Sequence, residues 1–258
     1  MLSQAARTVH VEECMGTVFT IDVRDDGDWA IAIAEAVTWL NHVDEVFSTY
    51  RPDSEIRRLG RGDLRLQDTR EEVREVLALC EQVRLDSDGA FTTTPFGLLD
   101  PSALVKGWAI DRASLLLRSH GSVNHAVNGG GDMQLAGESA PGRAWRVGIA
   151  HPLRHDDLCA VVQGRDLAVA TSGTAERGPH IVDPATGAPA ADLASLTVVG
   201  ERLTMADAYA TAAFAMGHRA RAWVEGLPGY EAMAVAADGG TWASSGFAAY
   251  DVPETWPG

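Results

Sequence analysis

The chain has 258 residues, 46% of them hydrophobic and 22% charged, and carries a formal net charge of −15. That length suits one large domain or two intimately associated lobes. The acidity argues against nucleic acid and against an anionic membrane surface, since both demand a basic footprint; an acidic protein that binds a polyanion needs local compensation from a metal ion or a few placed cations.

Along the chain, the N-terminal segment "MLSQAARTVHVEEC" has no apolar core of a signal peptide, and Cys14 follows Val-Glu-Glu rather than the small apolar residues that precede a lipidated cysteine. No run of 18 apolar residues occurs, so no membrane insertion and a cytoplasmic location are expected. Residues 8–24 alternate as one strand. Residues 28–47 place Ile31, Ala34, Val37, Leu40, Val43 and Phe47 at helical spacing. A Pro-Asp turn leads to a short helix ended by Gly60, and residues 69–86 form a second amphipathic helix. The stretch "DGAFTTTPFGLLDPSALVKG" is irregular and rich in turn residues, as functional segments tend to be. A helix resumes over 107–119. Strands follow in "VNHAV", "MQLAG", "AWRVGIAHP", "LCAVVQG", "DLAVATSG" and "SLTVVG", then a helix over 204–217, a shorter one near 218–226, and strands in "EAMAVAAD" and "TWASSGF". Runs of strands beside helices, without regular βαβ alternation, predict an α+β fold with largely antiparallel sheets and packed helices. The three cysteines, Cys14, Cys80 and Cys159, are far apart and odd in number, and read as thiols of a reducing compartment.

Four segments have residues with chemical potential, and each also has a plain structural reading. On the helix over 204–217, Asp207 and Thr211 lie four residues apart on one face, which suits a hard cation such as magnesium; Thr204 and Asp207 equally fit a capping box. "NGGGD", residues 128–132, offers backbone N–H groups to a phosphate, or simply turns a hairpin. "LDPSALVKGWAID" joins a turn to a helix, with Asp100 and Ser102 as candidate caps. It holds Lys106, the single lysine beside twenty arginines, where a compact point charge is wanted or where a lysine has survived by chance. Finally "HIVDPATG", residues 180–187, reads as a strand entering a turn, preceded by the hydroxyls and Arg177 of "TSGTAERGPH".

The order of these stretches is more specific than any one of them. "MGTVFTIDV", "FSTYRPDSEIRRLG", "DGAF", "LDPSALVKGWAID", "VNGGGD", "ATSGTAERGPHIVDPATG" and "TMADAYATAAF" together resemble the ApbE family, the FAD:protein FMN transferases, from about residue 15 to 217. The resemblance implies an ApbE-like fold forming one FAD-binding domain over residues 1–258. It implies FAD as substrate and Mg²⁺ as cofactor. Asp207, Thr211 and the backbone carbonyl of Ala103 would hold the metal. Met15, Tyr50, Ala90, Phe91, Asp100, Lys106 and Ile181 would contact FAD. His180 matches the histidine with the catalytic role.

The family's usual reaction cleaves FAD between its phosphates, joins FMN to a threonine hydroxyl of a target protein, and releases AMP. The target would carry an Asp-x-x-Thr-Ser/Gly-Ala-Thr motif. Two other readings stand beside it: an FAD pyrophosphatase giving FMN and AMP, and a flavin-binding protein without turnover. The chain departs from the family pattern at Phe91-Thr92-Thr93-Thr94, where Phe-Asp-Pro-Thr is frequent, and at Ala185, where an arginine is common.

Overall fold

The computed structural model describes residues 7–174 and 181–253. Eleven strands and six helices follow one another among them: β1 (Thr8–Cys14), β2 (Thr17–Val23), α1 (Ala30–Phe47), α2 (Glu55–Gly60), α3 (Glu71–Asp86), α4 (Ser102–Ser119), β3 (His125–Gly129), β4 (Asp132–Ala136), β5 (Trp145–Ala150), β6 (Leu158–Gly164), β7 (Leu167–Gly173), β8 (Leu193–Gly200), α5 (Leu203–Met216), α6 (Ala220–Val224), β9 (Tyr230–Ala236), β10 (Thr241–Ala243) and β11 (Asp251–Val252). They build an eight-stranded sheet in the order β1-β2-β3-β4-β7-β8-β9-β10 and a three-stranded sheet in the order β11-β6-β5. Every pairing is antiparallel. The α+β architecture with antiparallel sheets is therefore the one expected.

Side-chain alternation explains why the large sheet needs two covers. On β7, Ala168 and Ala170 join the main core with α1, α4 and α5, whereas Leu167 and Val169 join a second core with Trp145, Val147, Ile149 and Val162 of the small sheet. All eight residues of β8 are buried, as befits a strand covered on both faces. Where α5 packs on β7, the sheet presents the small residues Ala168 and Ala170. Helix α5 answers with alanines at 206, 208, 210, 212, 213 and 215, all buried. Small against small lets the helix sit close to the sheet, and this closeness sets the depth of the site described below.

Three local expectations change. The single strand over 8–24 is a hairpin: Met15 and Gly16 both take positive φ, 50° and 70°, and close a two-residue turn between Cys14 and Thr17. A primed turn of that kind matches the twist of the flanking strands. Helix α1 buries Ala32, Ile33, Ala36, Leu40, Val43, Val46 and Phe47, so Ile31 and Ala34 lie off the inward face. Helix α4 starts at Ser102, five residues before the expected 107; its cap position is Pro101 without a side-chain cap bond, so neither Asp100 nor Ser102 is the cap, although Asp100 Oδ1 accepts the Ser102 N–H at 2.9 Å.

One buried histidine belongs to this framework. His125 on β3 is fully buried, with Nε2 2.8 Å from Ser114 Oγ on α4 and Nδ1 2.8 Å from Ser122 Oγ. Burial, followed by the Arg118 charge, pushes its pKa down to about 4. The unfolded chain therefore takes up a proton near pH 6.5 that the folded imidazole refuses until about pH 4. The stability it contributes is complete above the unfolded value and is lost as pH falls through this window, to the extent of about 3 kcal/mol. In urea unfolding from pH 7 down to pH 4, His125→Gln should show a shallower decline than the parent chain. Parallel declines would remove His125 from the acid response.

Candidate functional site

The site forms where the first half of α4 crosses the first half of α5, over the ends of β4 and β7. The start of α5 is held from two sides. The Leu203 N–H donates to Gln134 Oε1 on β4 at 2.9 Å, and Gln134 Nε2 donates to the Glu201 carbonyl at 3.1 Å. Asp111 on α4 is buried, and its Oδ2 accepts from Thr204 Oγ1 at 2.7 Å and from Arg202 Nε at 2.9 Å. These bonds replace the capping box. Arg202, extended at φ −122° and ψ 125°, occupies the cap position. Thr204 thus sits within the helix and spends its hydroxyl on α4, which frees Asp207 from capping.

Asp207 is buried and points across at α4, where its Oδ2 accepts the backbone N–H of Gly107 at 2.9 Å. The approach is so close that only glycine fits. A Cβ at 107 would lie 2.6 Å from the Leu203 carbonyl oxygen and 2.7 Å from Asp207 Cβ. The same amide is, by helical spacing, the partner of the Ala103 carbonyl four residues earlier. Sharing it with Asp207 leaves that carbonyl oxygen with spare accepting capacity. Lys106, the preceding residue, sets its ammonium in contact with Asp132 Oδ2 and 3.9 Å from Asp207 Oδ1. One turn beyond Asp207, Thr211 Oγ1 lies 3.3 Å from Ser172 Oγ on β7.

"NGGGD" resolves as the β3–β4 hairpin. Gly130 and Gly131 take φ of 59° and 91° in a two-residue turn, for which glycine is the natural choice. Their N–H groups are engaged by the Val18 carbonyl and Asn128 Oδ1. What the hairpin contributes to the site is its last residue. Asp132 is 1% exposed, and its Oδ1 accepts the Thr171 N–H of β7 at 2.9 Å. Its part was hidden in the sequence because the glycines drew attention as a phosphate loop and the aspartate did not.

The candidate metal residues pass a chemical test. A carboxylate, a hydroxyl and a helix carbonyl are all hard oxygen donors. Among the described residues no group of three or more His, Cys, Asp and Glu gathers as a metal cage. Few protein ligands with room for water and phosphate oxygens is the arrangement magnesium favours. By donor type Asp207, Thr211 and the Ala103 carbonyl suit a hard cation, and the Lys106 ammonium lies 3.9 Å from Asp207 Oδ1.

The candidate flavin residues sit in different settings. Met15 is at the β1–β2 turn, partly buried against the main core. Tyr50 is 94% exposed just beyond α1. Ala90 and Phe91 are buried after α3, with the Phe91 N–H on Ser87 Oγ at 3.0 Å. Asp100 accepts the Ser102 N–H at the start of α4. At the departure from the family pattern, Thr92 Oγ1 accepts the Thr94 N–H at 3.1 Å, so a threonine makes the side-chain turn that an aspartate there would make.

His180 and Arg177 lie outside the described residues. Ile181 is buried, and its carbonyl accepts the Ala190 N–H at 2.9 Å. Val182 bridges Pro189 across the turn. The turn engages both carboxylate oxygens of Asp183, with the Ala185 N–H on Oδ1 at 2.9 Å and Thr186 Oγ1 on Oδ2 at 3.2 Å. Two surface clefts lie apart from the Asp207 cluster: one is lined by Tyr209, Trp223 and Leu227, the other by Asp183, Asp192 and His218.

With this geometry in hand, comparison with known proteins is direct. The pattern of the ApbE family matches residues 15–98 and 95–234. Among sequence relatives, the FAD:protein FMN transferase of Vibrio cholerae serotype O1 is 30% identical over 154 residues, covering 56% of this chain and 46% of the relative. That of Treponema pallidum is 35% identical over 167 residues, covering 57% and 46%. The chain thus spans about half the length of the curated relatives it matches. Among solved structures, the flavin transferase ApbE from Vibrio cholerae superposes with a TM-score of 0.85 at 24% identity, over 95% of this chain and 99% of that one. The ApbE protein from Thermotoga maritima gives 0.86 at 24% identity, over 96% and 100%. The likeness of fold extends over nearly the whole chain.

The close crossing of α4 and α5 makes a specific demand. Gly107→Ala drives a methyl group into the Leu203 carbonyl and Asp207, and should cost about 1–3 kcal/mol of stability in denaturant unfolding. An alanine variant as stable as the parent would show that the helices have room to part.

Proposed function

Because the chain belongs to the ApbE family, we propose that it transfers the FMN part of FAD to a threonine hydroxyl of a target protein and releases AMP. The observation that supports this reading is the meeting of Asp207 with the Gly107 amide, and of the Lys106 ammonium with Asp132 and Asp207, where α4 and α5 cross. Two carboxylates and one ammonium meet there, with hard oxygen donors beside them. A doubly charged pyrophosphate needs such compensation in a chain of net charge −15.

The chemistry follows from those residues. The threonine oxygen attacks the phosphorus on the riboflavin side, the bridging P–O bond breaks, and AMP departs with the bond's electron pair. The threonine proton passes to His180, the base in this reading. Lys106 contributes a point charge to the phosphate oxygens from the first turns of α4. A divalent ion held by Asp207, Thr211 and the Ala103 carbonyl would polarise the phosphorus and offset the charge on the departing group. Asp183 accepts hydrogen bonds from its own turn, and this reading gives the general-base role to His180, with Asp183 as the alternative base or as the group that orients it. Among the described residues no helix is long and apolar enough to cross a membrane, and the target in this reading is a protein segment bearing the Asp-x-x-Thr-Ser/Gly-Ala-Thr motif.

The deciding experiment incubates the protein with FAD, Mg²⁺ and a peptide of that motif, and reads the products by mass spectrometry. FMN on the threonine is the expected result. Free FMN without modified peptide would make the protein a pyrophosphatase, and unchanged FAD would leave it a flavin binder. Asp207→Asn keeps an oxygen for the Gly107 N–H while removing the charge. It should retain a melting temperature near that of the parent and lose transfer; full activity at saturating Mg²⁺ would refute the metal assignment.

His180→Ala should slow transfer by about 10²–10⁴-fold with FAD affinity little changed. A collapse of FAD binding instead would make His180 a binding residue.

A further inference from the structure

We propose that the cleft between the end of α3, the middle of α5 and α6 binds a small organic cation with an alkylated ammonium group, seated in the corner of Tyr209 and Trp223 with the Asp86 carboxylate as its counter-charge. The site is separate from the flavin-transfer reading and stands without it.

The cleft holds about 540 Å³, and its lining includes Asp86, Tyr209, Trp223, Gly226, Leu227 and Pro228. That volume is within the range of small-molecule sites. Tyr209 follows Asp207 by two residues, about 200° around α5, so the cleft lies on the side of the helix away from the crossing with α4. Its aromatic walls are fixed in place. The Trp223 indole N–H donates to the Asp86 carbonyl at 2.8 Å, which ties α6 to the end of α3. The Tyr209 ring stands nearly perpendicular to Trp223, at 83° with centroids 5.5 Å apart, and is backed by Tyr230 at 5.1 Å and 86°.

Charge and shape then select the ligand. Asp86 is the last residue of α3, and a helix C-terminus carries partial negative charge that favours a cation. Its carboxylate makes no ion pair among the described residues. The carboxylate is near enough to be felt at Tyr209, whose phenol is pushed above its ordinary pKa by burial and then by the Asp86 charge. Aromatic rings attract cations through their quadrupole, most strongly where water is displaced. Two rings at a right angle form a corner, which suits a rounded ammonium with a shell of C–H groups. A planar guanidinium prefers to stack on one ring. Leu227 and Pro228 supply apolar wall for the alkyl part.

Choline is the probe, and 3,3-dimethylbutan-1-ol is its neutral counterpart of the same shape. The chain has seven tryptophans, and Trp223→Phe identifies the indole ¹⁵N–H signal of Trp223 in the ¹⁵N-labelled full chain. Choline should move that signal saturably and leave most of the other six in place. By isothermal titration calorimetry the neutral alcohol should bind about fivefold or more weakly than choline. Guanidinium should also bind more weakly than choline.

Three variants locate the contributions. Trp223→Leu should abolish choline binding. Asp86→Asn, an exposed change that leaves the backbone carbonyl in place, should weaken it about fivefold at an unchanged melting temperature. Asp156→Asn removes a fully exposed carboxylate in the loop between β5 and β6 and should leave binding as in the parent. An alcohol that binds as well as choline would make the cleft a plain apolar groove. Tighter binding of guanidinium would make the rings a stacking surface. Equal losses in Asp86→Asn and Asp156→Asn, or shifts spread over all the tryptophans, would reduce the effect to the chain's net negative charge. A trimethyllysine peptide bound tenfold or more tightly than choline would assign the corner to a side chain of a partner protein. Each of these results, like the absence of saturable choline binding, overturns the proposal.

Discussion

The contact between the Gly107 amide and the Asp207 carboxylate governs the geometry of this molecule's site. It exists only because α4 and α5 approach to a distance that excludes a Cβ at position 107. That approach has causes in both layers. Below, α5 presents buried alanines to Ala168 and Ala170 of β7, so the helix lies close to the sheet. At its start, Asp111 ties Thr204 and Arg202 to α4, while Gln134 ties Leu203 to β4. Remove the closeness, and Asp207 loses its donor, the Gly107 amide.

Burial makes every charge near this crossing specific. Asp111, Asp132 and Asp207 are each less than a tenth exposed. A carboxylate at such depth requires partners, because desolvation without compensation is expensive. Each has partners of a different kind: a hydroxyl and a guanidinium for Asp111, a strand amide and an ammonium for Asp132, a helix amide and the more distant ammonium for Asp207. The first set serves the fold. The other two meet at Lys106. His125 represents the opposite solution, a titratable ring kept neutral between two serine hydroxyls.

The octet at 180–187 divides along the same line. Asp183, Thr186 and Gly187 form a self-contained turn, in which the Gly187 and Thr186 N–H groups reach the Asp183 carbonyl. Its side-chain and backbone bonds are local, so the turn can form the same way in many proteins. The chain enters it through the buried pair Ile181 and Val182.

The sequence by itself determined the periodic elements and the order of the motifs. Alternation in "DLAVATSG" and "SLTVVG" reported strands, the 3.6-residue rhythm of 204–217 reported a helix, and the succession of short motifs pointed to the ApbE family before any coordinate was considered. Those are local properties, written in residues a few positions apart. Tertiary structure decided the partners. Thr204 reads as a cap until α4, 93 residues earlier in the chain, offers Asp111. Met15 and Gly16 read as mid-strand until the pairing of Cys14 with Thr17 makes them a turn. Ile31 fits the helical spacing, yet the packed face of α1 is rotated away from it. Asp132 looks like the end of a glycine turn until Lys106, from a helix earlier in the chain, meets its carboxylate. For Thr204 and Asp132 the deciding contact joins groups far apart along the chain, which the packing of α4 on α5 and the sheet brings within reach; the Met15–Gly16 turn is decided by the pairing of β1 with β2, and the facing of Ile31 by the surface on which α1 packs.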